Sequence, residues 1–145
     1  MPYLDRCGHV PALIVGSNGA WACKCSKEAV AERYAHAFTI IRVQVVATSL
    51  ENNPRAKDEP FNPKVVRAKI NILETLKGSG REPSSVEGGA NYRDAVCNIA
   101  LVTGAEYLFV LESTPVVSSC NSWFLDGDPA GEKMLQQFRS LKEGR

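Results

Sequence analysis

No stretch of the 145 residues is apolar for long enough to read as a membrane-spanning helix. Histidine is scarce: only His9 and His36 occur, and no Ser-His-acid or Cys-His pattern suggests nucleophilic catalysis. His36 falls between apolar helical positions and reads as a structural or surface residue. Neither a phosphate-cradling P-loop nor a GxGxxG fingerprint is present. Neither sign of charge dominates, since 17 basic and 16 acidic residues leave a formal charge of +1. That balance argues against a general binder of nucleic-acid backbone, which needs a strong basic field. There is no internal repeat and no low-complexity tract. The start, Met1 to Cys7, has no basic segment leading into an apolar run, so no signal peptide is expected.

What remains is the composition of one domain, residues 1–145, with 44% hydrophobic and 23% charged residues. The five cysteines, Cys7, Cys23, Cys25, Cys97 and Cys120, are an odd number in a chain large enough to need no staple. Reduced thiols and a cytoplasmic location are therefore expected.

Val10–Val15, the Ser17-Asn18-Gly19 turn and Ala20–Cys25 read either as a small β-hairpin or as a first strand leading to a helix. Ser26 is a good N-cap, and Ala29, Val30, Tyr34, Ala37 and Phe38 then fall on one helical face. Phe38–Thr48 is rich in β-branched residues and reads as a strand buried on both faces. A loop with Pro54, Pro60 and Pro63 follows. From Pro63 to Lys77, the spacing of Val65, Val66, Ala68, Ile72, Leu73 and Leu76 predicts a helix. Glu82–Gly89 reads as a polar loop, and Ala90–Thr103 as a further helix stopped by Gly104. Tyr107–Leu111 is a strand, Val116-Val117 and Trp123–Leu125 are short strand candidates, and Pro129–Glu143 is a terminal helix. Alternating strands and helices predict a three-layer α/β domain, Rossmann-like, with a mostly parallel sheet and helices on both faces. In such sheets ligands bind at the carboxyl ends of the strands. Here those are the loops after Thr48 and Leu111.

The second loop carries the chemistry. A Gly-rich entry at Gly88-Gly89 precedes Arg93, one turn into the expected helix and able to pair with a phosphate. The strand to Leu111 ends in Glu112-Ser113-Thr114, where a carboxylate and a hydroxyl can meet a metal or a ribose. A second acidic pair, Asp126-Gly127-Asp128, offers oxygen ligands for Mg²⁺ or Mn²⁺. The same residues also read as a turn, with Asp128 capping the helix and Pro129 at its first position. Cys7-Gly8-His9 and Cys23-Lys24-Cys25, on either side of the expected hairpin, are a candidate Zn²⁺ knuckle.

Residues 88–117 resemble the middle of glycosyltransferases with the GT-A fold. The shared features are the Gly-rich turn, a helix ending at Thr103-Gly104, the strand Glu106-Tyr107-Leu108-Phe109-Val110-Leu111 and an acidic position at its end. That resemblance implies half of a GT-A-like fold and a nucleotide sugar whose diphosphate is held through a divalent metal. By that resemblance Arg93 and Glu112 would be the carried-over ligand-binding positions; apart from it, Thr114 is a further ligand-binding candidate, and Asp126 or Asp128 a candidate metal ligand beside Glu112. Val15-Gly16-Ser17-Asn18, Gly89-Ala90-Asn91-Tyr92-Arg93 and Gly104-Ala105-Glu106-Tyr107 also resemble nucleoside triphosphatases that hydrolyse non-canonical purine nucleotides. A non-enzymatic adaptor or mobile-element accessory protein, oligomeric or zinc-bearing, is the alternative outside the enzymes.

Overall fold

The computed structural model describes residues 25–60, 62–90 and 97–144. Its longest elements are two neighbouring strands, β1 (Thr39–Asn52) and β2 (Lys64–Lys77), paired antiparallel along nearly their whole length. In the first half of β1 the side chains alternate. Ile41, Val43 and Val45 enter one buried cluster, and Ile40 enters another on the opposite face. β3 (Ser85–Gly89) runs antiparallel to β2, and β4 (Glu106–Leu111) pairs antiparallel with β1 from Thr39 to Gln44. β5 (Val116–Val117) lies parallel to β3, and β6 (Ser122–Phe124) antiparallel to β4. The sheet order is β5-β3-β2-β1-β4-β6.

This order forces a curl. β4 and β5 are separated only by Glu112–Pro115, yet they lie on either side of the β1–β2–β3 meander. Four strand spacings in a flat sheet would need roughly 19 Å, about the full reach of that short connection. Curling brings the two sides together, and Leu111 of β4 and Val117 of β5 are buried in one cluster. The inner face of this half-barrel also holds Ala68, Val86, Tyr107 and Phe109.

The outer face is covered by both helices, α1 (Val30–His36) and α2 (Pro129–Glu143). Tyr34, Leu135 and Phe138 pack there on Ile40, Leu76, Leu108 and Val110. The Tyr34 and Phe138 rings sit 6.2 Å apart. Asp128 accepts from the Ala130 N–H and Pro129 starts α2, so the capping expectation holds. Gly131 seats the helix closely, since a Cβ there would run into the Phe124 carbonyl. Neither helix is long and apolar enough to cross a membrane.

The expected three-layer, mostly parallel, Rossmann-like or GT-A-like sheet with helices on both faces is therefore overturned. Among the described residues the sheet is mixed, with one parallel pairing, and the helices share one face. The decisive misreading is Pro63–Lys77, which contains strand β2 and not a helix. Its Lys, Leu, Ala and Glu residues favour helix, and register shifts against β1 disturb strict alternation. The apolar positions then mimic helical spacing. Ser85–Gly89, expected in a polar loop, is a strand. Residues 97–103 are not helical, and residues 91–96 lie outside the described set. The expected hairpin before Cys25 also lies outside it.

The reduced-thiol expectation is corrected as well. Cys25 and Cys120 form a disulfide across 95 positions, and Cys97 is also disulfide-bonded. A sulfur engaged in that bond is no zinc thiolate, so Cys25 leaves the proposed knuckle. Cys7, His9 and Cys23 lie outside the described residues.

Candidate functional site

The turn from β1 to β2 is built around Asn53, a buried amide. Its N–H donates to the Pro63 carbonyl at 3.0 Å, closing the turn. Its Nδ2 donates to the Asn62 carbonyl at 2.7 Å and to Glu59 at 3.0 Å, while its Oδ1 accepts from the Arg55 N–H at 2.9 Å. A segment that reads in sequence as a proline-rich connection is thus a fixed scaffold for Arg55.

Arg55 reaches Glu87 of β3, with Nη2 2.6 Å from Oε2, and also pairs with Glu59 at 3.2 Å. Arg67, opposite Glu87 in the β2–β3 register, lies 3.6 Å from its other oxygen. The Arg67 Nε donates to Glu51 at 2.7 Å. The Glu87 side chain is only 6% exposed. Arg67 holds the Glu51 carboxyl below the usual carboxylate range, and Asn53, then Arg55, do the same for Glu59. Glu87, then Glu59, raise Arg55, and Glu51 raises Arg67. The groups satisfy one another, a pattern that fastens the turn to β3.

A cleft of about 450 Å³ opens over this cluster, walled by Thr114, Pro115 and Val116 of the β4–β5 connection. Two smaller clefts, of about 140 and 110 Å³, share Glu112 and Thr114 and differ in their other walls. Glu28, Arg33 and His36 line one, and Phe38 and Arg81 the other. Glu112 and Thr114, singled out in the sequence, both line these two clefts. The sequence reading missed Arg55, Glu59, Arg67 and Glu87, whose signal, Arg67 alternating with Val66 and Ala68, was hidden by the helical reading of β2.

The sequence-derived metal set does not converge. Glu112 follows the last residue of β4, whereas Asp126 accepts from the N–H of Glu106, its first residue. The two ends of a six-residue strand lie roughly 17 Å apart. Asp128 is occupied in capping α2. Among the described residues no three His, Cys, Asp or Glu side chains group to hold a metal. Arg93, expected to pair with a phosphate, lies outside the described residues. The rule that ligands sit at carboxyl strand ends belongs to parallel sheets and does not carry over to this one.

The other conspicuous surface is the outer half of β1. Among the described residues β4 pairs β1 from Thr39 to Gln44, Val45 still bonds Gly104 and Ala105 through its backbone, and beyond Val45 the pairing of β1 is on its β2 side. Val46 to Leu50 are five consecutive exposed residues, with Val46 at 54% and Leu50 at 64% exposure. Neither a protein-family model nor a characterised protein matches the sequence.

Proposed function

We propose that this domain is a non-enzymatic interaction module that takes an extended, acidic segment of a partner protein along the outer half of β1. The observation that carries the reading is the exposed run Val46–Leu50 on a strand whose other edge is paired by β2. A strand exposed in this way offers backbone donors and acceptors to an added strand, and alternating side chains for specificity. Charge selects the partner. Lys57, Lys64 and Lys69 are exposed around the strand, while Arg55 and Arg67 are held by Glu51, Glu59 and Glu87. With the exposed Asp58 counted, five basic and four acidic groups leave a surplus of one positive charge, which favours acidic segments by complementarity. The disulfide supports an oxidising setting outside the cytoplasm.

The test is selection from a random peptide display library on the full, disulfide-bonded chain. Enrichment of Asp- and Glu-bearing peptides that lose binding to Leu50→Asp and to Lys64→Glu/Lys69→Glu, but not to Glu112→Ala, is the expected result. No enrichment, or peptides indifferent to those changes, overturns the reading. So does a dimer in sedimentation that Leu50→Asp dissociates, because the occupant would then be a second copy.

A further inference from the structure

Two disulfide-bonded positions meet beside the turn between β5 and β6. The Sγ of Cys120, bonded to Cys25, lies 3.8 Å from the Sγ of Cys97, itself disulfide-bonded. The contact is braced by the backbone, since the Ser119 N–H donates to the Cys97 carbonyl at 2.7 Å. Arg33, stacked 5.3 Å over Trp123, donates to the Cys120 carbonyl at 2.9 Å. That bond fixes the Cys120 backbone against α1. Access is unequal: Cys25 is exposed, whereas Cys97 and Cys120 are half-buried.

We infer that these bonds form a thiol–disulfide relay. A small monothiol of the glutathione class, as its thiolate, attacks the exposed Cys25 sulfur. The Cys25–Cys120 bond breaks, a mixed disulfide forms on Cys25, and the electron pair leaves on Cys120. The Cys120 thiolate then attacks the Cys97 sulfur. A Cys97–Cys120 bond forms and the sulfur formerly bonded to Cys97 departs as a thiolate. One thiolate is consumed and one is released, so no further oxidant or reductant is needed. The exchange unfastens the segment leading to α1, including Glu28, whose carboxylate sits 2.6 Å from His36 at the rim of the cleft that Glu112 and Thr114 also line. Reduced and oxidised surroundings would thereby set the shape of that rim.

The experiment incubates the full disulfide-bonded chain in graded glutathione buffers, quenches with acid, alkylates and maps the links by mass spectrometry. No Lys or Arg lies between Cys97 and Cys120, so trypsin leaves both in one peptide and cleavage at Glu106 or Glu112 is added. Loss of the Cys25–Cys120 link with matching gain of a Cys97–Cys120 link and a glutathione adduct on Cys25 is expected. The new link should fall several-fold when the incubation is repeated in denaturant. Cys120 recovered as an alkylated thiol with no Cys97–Cys120 link overturns the relay, as does an equal yield in denaturant. Cys25→Ser supplies a second arm. It should already carry the Cys97–Cys120 link without added thiol, and finding Cys120 fully alkylatable with Cys97 still in its original bond overturns the proposal.

Discussion

Arg55 Nη2 lies 2.6 Å from Glu87 Oε2 across 32 positions of chain, joining the β1–β2 turn to β3. The carboxylate is buried and the guanidinium is half-exposed, so the two partners are unequal. Removing Arg55 leaves Glu87 with only Arg67, at 3.6 Å, and an under-compensated buried charge is costly. Removing Glu87 leaves an arginine that water can hydrate. Arg55→Ala should therefore destabilise the fold more than Glu87→Gln, by about 1–2 kcal/mol against less than 1. The double-mutant cycle should return a coupling of about 1 kcal/mol in urea unfolding. Additive effects would mean that the pair does not hold the turn.

The bidentate pair between Arg139 of α2 and Glu74 of β2, at 2.8 Å, gives the fold a pH dependence. Arg139 holds the Glu74 carboxyl below its ordinary range. A depressed folded-state value means that the stabilisation is complete above the unfolded value, about 4.3, and is lost as pH falls through the folded value. Glu74→Gln should lower stability at neutral pH by about 1 kcal/mol, since the pair is partly solvated. The difference from the parent chain should shrink towards pH 3. A constant difference across that window in thermal melts would assign the effect to packing.

How far the fold was legible depends on which interactions shape each segment. α2 was readable because Asp128 and Pro129 are local signals and its apolar stripe is undisturbed. β4 was readable because Tyr107–Leu111 is an unbroken apolar run, and β1 because of its β-branched residues. β2 was not, because its pairing with β1 is settled by tertiary contact that overrides the helix preference of Lys69, Leu73 and Glu74. That single reversal turned an alternating α/β pattern into a meander, and the fold class followed it. Of the candidate site, Glu112 and Thr114 do line grooves, but the Arg55–Glu87 cluster exists only once β2 and β3 are strands. The Cys25–Cys120 bond was illegible because it joins segments 95 positions apart.

The glycosyltransferase-like reading and the interaction-module reading part company over ligands. A thermal-shift screen of nucleotides and nucleotide sugars with Mn²⁺ should leave the melting temperature unmoved if the domain is an interaction module. A ligand that binds only the folded state raises it by mass action. A Mn²⁺-dependent rise abolished by Glu112→Ala would overturn that expectation and reinstate phosphate chemistry at the end of β4.

Tyr107 is the most informative position of the inner face. It is 1% exposed, stacked on Phe109 at 5.6 Å and edge-on to Phe124 at 5.6 Å. Its hydroxyl donates to the Ala100 carbonyl at 2.7 Å and accepts from the Val102 N–H at 2.9 Å. One oxygen thus ties down the irregular segment that enters β4. Tyr107→Phe keeps the ring contacts and removes both bonds, leaving two backbone groups without that partner. The cost should be about 1–3 kcal/mol, read as a fall in Tm of about 2–4 °C per kcal/mol. Hydrogen exchange should show the amide of Val102 losing protection, while the amides of β1 paired to β4 keep theirs. Loss of protection spread evenly over β1 and β4 would show instead that the hydroxyl supports the whole inner core and not the local segment.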